Sequence, residues 1–309
     1  MPLPALPRLR PPRPAAPALL LAAALLAGCG APPPADPDAP RHVTLRFEAR
    51  VGERPFACGD RYPGVGLTRS VLTPSDLRFH VSEIRLIDAE GREWPLALTP
   101  DGTWQLDDVA LLDFENGSGP CRHGTSATRT QVQGQVRMRG QPVGLRLTLG
   151  VPAARLAAGA RQAPAPLHLP AMDWGPAHGR MHLKFDTATT GMPAAPGPSP
   201  VSFSPGSASG FSVHVGSVDC GEGGACRQPM HVAVRLDRFD PARDVIVADL
   251  AALLAETHLD TNAPGTPPGC MTLAPADPDC RAILAALGLP AADGTPGGPQ
   301  RFLRAAPAR

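Results

Sequence analysis

Residues 76–88 read DLRFHVSEIRLID. Leu77, Phe79 and Val81 fall on every second position, and the apolar positions then change parity to Ile84 and Leu86. Alternation of period two marks a strand with one face in a core, and a one-residue change of phase predicts a bulge near Ser82. Working outward, the same alternation recurs in residues 41–49 (Val43, Leu45, Phe47), around Val132, Val136 and Met138, and in Val143, Leu145, Leu147 and Leu149. It returns in residues 180–186 (Met181, Leu183, Phe185), 211–218 (Phe211, Val213, Val215) and 230–239 (Met230, Val232, Val234, Leu236). Gly140, between two of these runs, reads as a hairpin turn. The pattern predicts a mainly β fold, an antiparallel β-sandwich. Two later stretches break it: residues 249–258 carry Leu250, Leu253 and Leu254 at helical spacing, and residues 279–287 carry Ile283, Leu284 and Leu287 before Gly288. Both predict short C-terminal helices. Residues 187–209 and 290–299, rich in Pro, Gly, Ser and Thr, read as loops.

The chain has 309 residues, and Lys+Arg 29 against Asp+Glu 28 gives a charge of +1, which supplies no field for nucleic acid or an anionic surface. Pro 40 and Gly 32 approach the range of low complexity, while 43% hydrophobic content argues against wholesale disorder. Arg8, Arg10 and Arg13 precede the apolar run of residues 19–27, too short for a stable membrane span, and the pattern is that of a signal peptide over residues 1–28. Leu26-Ala27-Gly28-Cys29 resembles the bacterial lipobox, which makes Cys29 the expected site of lipidation. Gly30 stands where an inner-membrane retention signal has Asp, so the expected place is the outer membrane, facing periplasm or cell surface. Residues 29–40 read as a Pro-rich tether and 41–309 as a single sandwich domain.

Without Cys29 six cysteines remain, an even number in an exported chain, which reads as disulfides. Fifteen pairings are open; loop length alone favours Cys220 with Cys226, Cys270 with Cys280 and Cys58 with Cys121. A four-cysteine zinc site needs paired short spacings that are absent.

No nucleophile elbow, phosphate loop, dinucleotide fingerprint or H-E-x-x-H occurs, so the chain is not expected to be an enzyme. Asp113 and Glu115 would point the same way from a strand, as a solvated edge, a calcium site or an acid–base pair. Histidines are the more informative type. His80, His182, His214 and His231 all fall on the polar faces of their strands, where facing water is the plain reading, and His178 lies just before His182. His178 and His182 have the spacing of a helical zinc pair, yet the alternation from Arg180 onward places them off a helix. Trp174 sits in a loop of Pro and Gly, although an indole ordinarily seeks burial.

Several segments together resemble the MbnP family: CGDRYPGVG (58–66), SDLRFHVSEIRLIDAEGREWPL (75–96), VALLDFENGSGPCRHGT (109–125), GLRLTLGVP (144–152), the Trp174 loop running into HGRMHLKFD (178–186), FSVHVGSVDC (211–220), DVIVADLAALLA (244–255) and GCMTLAPADPDCRAILAALGL (269–289). The resemblance covers nearly the whole mature chain, in order. It implies an exported β-sandwich that binds copper beside a di-haem partner of the MauG and cytochrome c peroxidase type, which oxidises a tryptophan to kynurenine and so helps complete a Cu(I) site with histidines. A soft, low-coordinate Cu(I) accepts imidazole readily. By position, Trp174 matches the loop tryptophan and His214 the histidine of an F-x-x-H-x-G-S pattern, so the resemblance implies Trp174 as the oxidised residue and His214 as the best single copper ligand. The family often has Asn-His soon after Val-Pro; here Val151-Pro152 is followed by AARLAAGARQ, and a second loop tryptophan is replaced by Pro176. His178, His182 or His168 is expected to substitute. The rival reading is a metal-free sandwich for adhesion or ligand binding.

Overall fold

The computed structural model describes residues 39–308, apart from 123, 157–162, 175–178, 192–209, 221–224 and 274–275. Cys29 and His178 lie outside the described residues. The chain runs through β1 (Arg41–Val51), β2 (Arg54–Pro55), β3 (Tyr62–Val65), β4 (Ser70–Ile87), β5 (Glu93–Pro95), β6 (Ala97–Leu98) and β7 (Val109–Asp113). It continues with β8 (Gln131–Val136), β9 (Gly144–Leu149), β10 (Met181–Thr189), β11 (Ser212–Gly216), β12 (Val218–Cys220), β13 (Cys226–Gln228) and β14 (Val232–Leu236). After β15 (Asp244–Asp249) come α1 (Leu250–Leu254), β16 (Gly269–Met271), α2 (Cys280–Ala286) and β17 (Leu303–Pro307).

One sheet has the order β17-β15-β1-β8-β6, with β2 on β1. The other has the order β14-β9-β4-β10-β11-β16, with β3, β5 and β7 also on β4. Most neighbours are antiparallel, but β1 with β15 and β11 with β16 are parallel. The sandwich core lies between the sheets, where Leu45, Phe47, Val132 and Ile246 join Leu77, Phe79, Leu147, Leu183 and Phe185 in one buried cluster. Phe79 sits at its middle, edge-on to Phe47 (6.2 Å) and Phe302 (5.6 Å) and stacked on Phe114 (5.8 Å).

The predicted bulge is present. Glu83 takes φ 49°, and the β4–β9 register shifts between Ser82 and Arg85, which carries the core-facing positions from Val81 to Ile84. Asp249 caps α1 by accepting from the N–H groups of Ala251 and Ala252. The three favoured cysteine pairs are bonded: Cys58–Cys121, Cys220–Cys226 and Cys270–Cys280.

Met181, expected inward with Leu183 and Phe185, instead packs with Leu111 and Met172 outside the main core, beyond a register shift between Met181 and Leu183. Three further sequence expectations need correction. Gly140 does not turn a hairpin: β8 pairs with β1 and β9 with β4, so the chain there crosses from one sheet to the other; Leu145, Leu147 and Leu149 lie in the core as expected, but Val143 is exposed just before β9. The loop expected from residue 187 begins later, because β10 stays paired with β4 to Thr189, across a register shift between Asp186 and Thr187. The polar strand faces, finally, are not all wet. His80, His182 and His214 are buried, because the second face of the larger sheet is itself covered.

Candidate functional site

On β4, β7, β10 and β11 the side chains that point away from the core form rows. Arg78 pairs in register with Asp113 and Lys184, and Lys184 with His214. Asp76 pairs with Asp186, and His80 with Leu111. His80 and His182 are the next residues beyond the paired Phe79 and Leu183.

The first rows make a buried ion network. Arg78 Nε lies 3.1 Å from Asp113 and its Nη2 lies 2.7 Å from Glu115; Lys184 Nζ lies 3.0 Å from Asp76 and 3.4 Å from Asp186. His214 Nε2 meets Asp186 Oδ1 at 2.7 Å. Asp113 and Glu115, read as a possible solvated edge, are instead buried on this guanidinium, and Glu115 also accepts from the N–H groups of Gly117 and Thr125. Burial, reinforced by Glu115 and Asp76 and opposed by Arg78, pushes the Asp113 carboxyl up to about 7. Burial works against ionising Asp186 too, yet His214 and Lys184 outweigh it and hold that carboxyl well below its usual range.

The histidine rows are neutral. Burial lowers His80 to about 4, with Arg180 adding to the effect, and burial then His231 lowers His182 to about 3. Their hydrogen bonds fix the tautomers. His182 Nδ1 accepts from the Val151 N–H (3.1 Å), so its proton is on Nε2, between Ser217 Oγ (2.7 Å) and Pro229 O (2.9 Å). His231 Nε2 donates to Val151 O (2.7 Å). His80 Nδ1 donates to Met181 O (3.2 Å), and its Nε2 lone pair is buried with no hydrogen-bond partner among the described residues. The rings of His182 and His231 lie 5.0 Å apart, and a Cβ on Gly150 (φ 146°) would come within 2.8 Å of His231 Cδ2, so this close approach requires glycine.

Trp174 is half-buried against a small cluster of Leu111, Met172 and Met181, with Trp104 and Leu169 beside it. Leu111 is the in-register neighbour of His80, and Met181 supplies the carbonyl that His80 bonds. The structure thus brings His80, His182 and His231 together beside the Trp174 cluster and places His214 in the ion network; His168 is exposed. Among the described residues, no three His, Cys, Asp or Glu side chains are placed to share one ion. His80 and His231 were legible only as polar-face histidines. What distinguishes them, an unused lone pair and contact with His182, depends on register and on a loop, neither of which spacing reveals.

Fold and site together define a disulfide-stapled β-sandwich that buries neutral imidazoles and an ion network behind its larger sheet. The MbnP family model matches residues 40–272. The structure is similar to that of MbnP from Methylosinus trichosporium, with a TM-score of 0.73 and 28% sequence identity, covering 88% of this chain and 100% of that one. No protein of curated function matches the sequence. The chain belongs to the MbnP family.

Proposed function

We propose that this protein is an exported, lipid-anchored copper-binding protein, not itself catalytic, that holds Cu(I) on imidazoles behind its larger sheet. In this reading it works beside a di-haem peroxidase-type partner that oxidises Trp174 to kynurenine, and Cys29 carries the anchor at the outer membrane. One observation carries it: the buried, unpartnered Nε2 lone pair of His80, next to the residues that seat Trp174. A buried nitrogen with no donor costs free energy unless something accepts its lone pair, and a soft monovalent metal does so without bringing a proton. The neutral state of His80 is the one that ligates.

The missing family histidine fits the same reading. Val151, in the Val-Pro a few residues after which relatives often have Asn-His, bonds His182 through its N–H and His231 through its carbonyl, so two imidazoles from elsewhere in the chain stand beside that Val-Pro. His80, His231 and the product of Trp174 are the donor set in this reading, with His178 as a further candidate; His182, both of whose nitrogens are hydrogen-bonded, holds its place beside His231, and His214, the ligand expected from the resemblance, is committed to Asp186. Bound copper would supply a soft acceptor; the chain supplies orientation and exclusion of water.

The metal-free alternative draws on the lack of a preassembled three-donor cluster among the described residues. Copper per chain, measured by elemental mass spectrometry on protein from its native host grown with ample copper, decides between them. About one copper per chain supports the copper reading, and copper far below that ratio supports a metal-free sandwich. Peptide mass analysis across Trp174 then tests its oxidation.

A further inference from the structure

The sequence holds Asp-Pro bonds at 36–37, 240–241 and 277–278. Such a bond is labile to acid, because the aspartate carboxyl can attack its own backbone carbonyl in a five-membered ring, and the proline nitrogen leaves readily once it takes a proton. Asp36 lies outside the described residues; the other two bonds share a turn and differ in their surroundings.

Asp277 is buried between β16 and α2. Its Oδ1 accepts from the Asp279 N–H (3.0 Å), a turn that folds the carboxyl over its own C-terminal peptide bond, and its Oδ2 accepts from the Met271 N–H (3.2 Å). The carbonyl oxygen of that bond accepts from the Cys280 N–H at 3.1 Å, so a donor already stands where negative charge would gather on attack. Burial, opposed by the two N–H groups and reinforced by the Asp279 carboxylate, pushes the Asp277 carboxyl up to about 6. Below that it carries the proton that the leaving nitrogen needs. Ala276, directly before it, has φ 56°, strain held next to the bond. Pro278 is exposed, and Asp277 lines a pocket of about 390 Å³ that gives water a way to it. The other chargeable side chains of that wall are Arg227, paired with Asp219, and His231, bonded to Val151 O.

Asp240 makes the same turn, accepting from the Ala242 N–H, and its carbonyl accepts from the N–H groups of Arg243 and Asp244. Its carboxylate, however, pairs with Arg243 Nε at 2.9 Å. A cation holds that carboxylate, whereas Asp277 is set against another acid.

We propose that the Asp277–Pro278 bond is a self-cleavage site that converts the chain into two segments joined by the Cys270–Cys280 disulfide. A carboxyl oxygen of Asp277 bonds to the residue's own backbone carbonyl carbon, the carbon–nitrogen bond to Pro278 breaks, and the carboxyl proton passes to that nitrogen. The products are a cyclic anhydride at Asp277 and a free Pro278 amine, and one water opens the anhydride to two carboxyls. Nothing is oxidised or reduced. The disulfide spans the cut, so the segment carrying α2 and β17 stays attached, with β17 paired to β15.

The test incubates the mature chain in detergent at mildly acidic and mildly alkaline pH, folded and in urea, and follows it by intact mass and by gels run with and without reductant. The folded chain in acid is expected to gain the mass of one water and, on reduction only, to release a fragment that begins at Pro278. Release should be at least about tenfold faster than in alkali and at least about tenfold faster than the cut at Pro241 in the same sample. Urea should abolish the preference between the two bonds. Asp277→Ala, which removes the attacking group, and Pro278→Ala, which makes the leaving nitrogen less basic at an exposed position, should each slow release at least about tenfold. A folded chain that stays intact, a cut no faster than at Pro241, a preference that persists in urea, or a rate that rises with protein concentration would each overturn the proposal. Should Asp277→Ala fail to fold by circular dichroism, Pro278→Ala and the comparison with urea decide.

Discussion

The two faces of the larger sheet are buried alike and built of opposite chemistry. Toward the core stand Leu77, Phe79, Val81, Leu183, Phe185, Val213 and Val215, all at 0% exposure; on the same strands, pointing the other way, stand Asp76, Arg78, His80, Lys184, Asp186 and His214, none above 8%. The apolar face is stabilised by area removed from water, about 1.5–3 kcal/mol per large side chain, and tolerates a change of shape. The polar face is tolerated only because each charge meets a partner at a fixed register position. Arg78 serves three acids and Lys184 two, with Asp76 shared between them, so the network depends on geometry that the apolar face does not need. Equal burial therefore conceals unequal sensitivity.

Conservative substitution should expose that inequality most strongly. Leu183→Met, which roughly conserves volume, is expected to cost under about 1.5 kcal/mol. Arg78→Met, of similar apolar bulk but without charge, leaves Asp113 and Glu115 buried without their cation and is expected to cost about 3–5 kcal/mol. Urea unfolding at neutral pH measures both. A loss below about 1 kcal/mol in Arg78→Met would mean that water reaches the acids and that the two faces differ less than their burial implies.

Within the polar face itself, the histidine rows and the ion rows can be separated by copper. His80 has a free lone pair, whereas His214 is committed to Asp186. His80→Ala is expected to weaken Cu(I) binding about a hundredfold, roughly 2.7 kcal/mol. His214→Ala is expected to change Cu(I) affinity by less than about threefold while lowering stability, since Asp186 loses a partner. Competition with a colorimetric Cu(I) chelator, beside urea unfolding, gives both numbers. Loss of copper binding in His214→Ala alone would move the site into the ion rows.

The apolar face was legible in the sequence, down to the change of parity that Glu83 accommodates in β4. Alternation reports which side chains share a face, and the apolar set names the core. It does not report whether the opposite face is covered, so the imidazoles were read as facing water. Parallel pairing of β1 with β15 escaped notice because DVIVAD runs directly into its capping aspartate and the helix, with apolar residues on both faces. Trp174 was singled out correctly as unusual for a loop, but its neighbours Leu111 and Met181 come from strands some sixty residues before it and a few after it. The unused nitrogen of His80 is a matter of which atom meets which carbonyl, a choice made only when Met181 is in place.

A titration sharpens the contrast between the rows further, with a smaller effect. Asp113, pushed up to about 7 by burial, Glu115 and Asp76, keeps a proton in the folded chain that the unfolded chain releases above its ordinary value of 3.8. The folded state then binds more protons across that window, and stability falls as pH rises from about 4 to about 7. His80 and His182 act in the opposite sense: unfolded imidazoles take up protons below about 6.5 that the folded rings, at about 4 and about 3, refuse, so their contribution grows as pH rises. The wild-type profile sums these slopes with those of other shifted acids, Asp76 and Asp277 raised by burial and Asp186 and Asp88 held low by their partners. Asp113→Asn removes only its own falling part, so the difference from wild type in unfolding free energy should gain by about 1 kcal/mol per pH unit across that window and level off above it. Urea unfolding of both proteins at pH steps from 4 to 8 measures the difference. A difference that stays flat would mean that Arg78 keeps Asp113 ionised throughout and that the ion rows hold their charges as firmly as the histidine rows hold their neutrality.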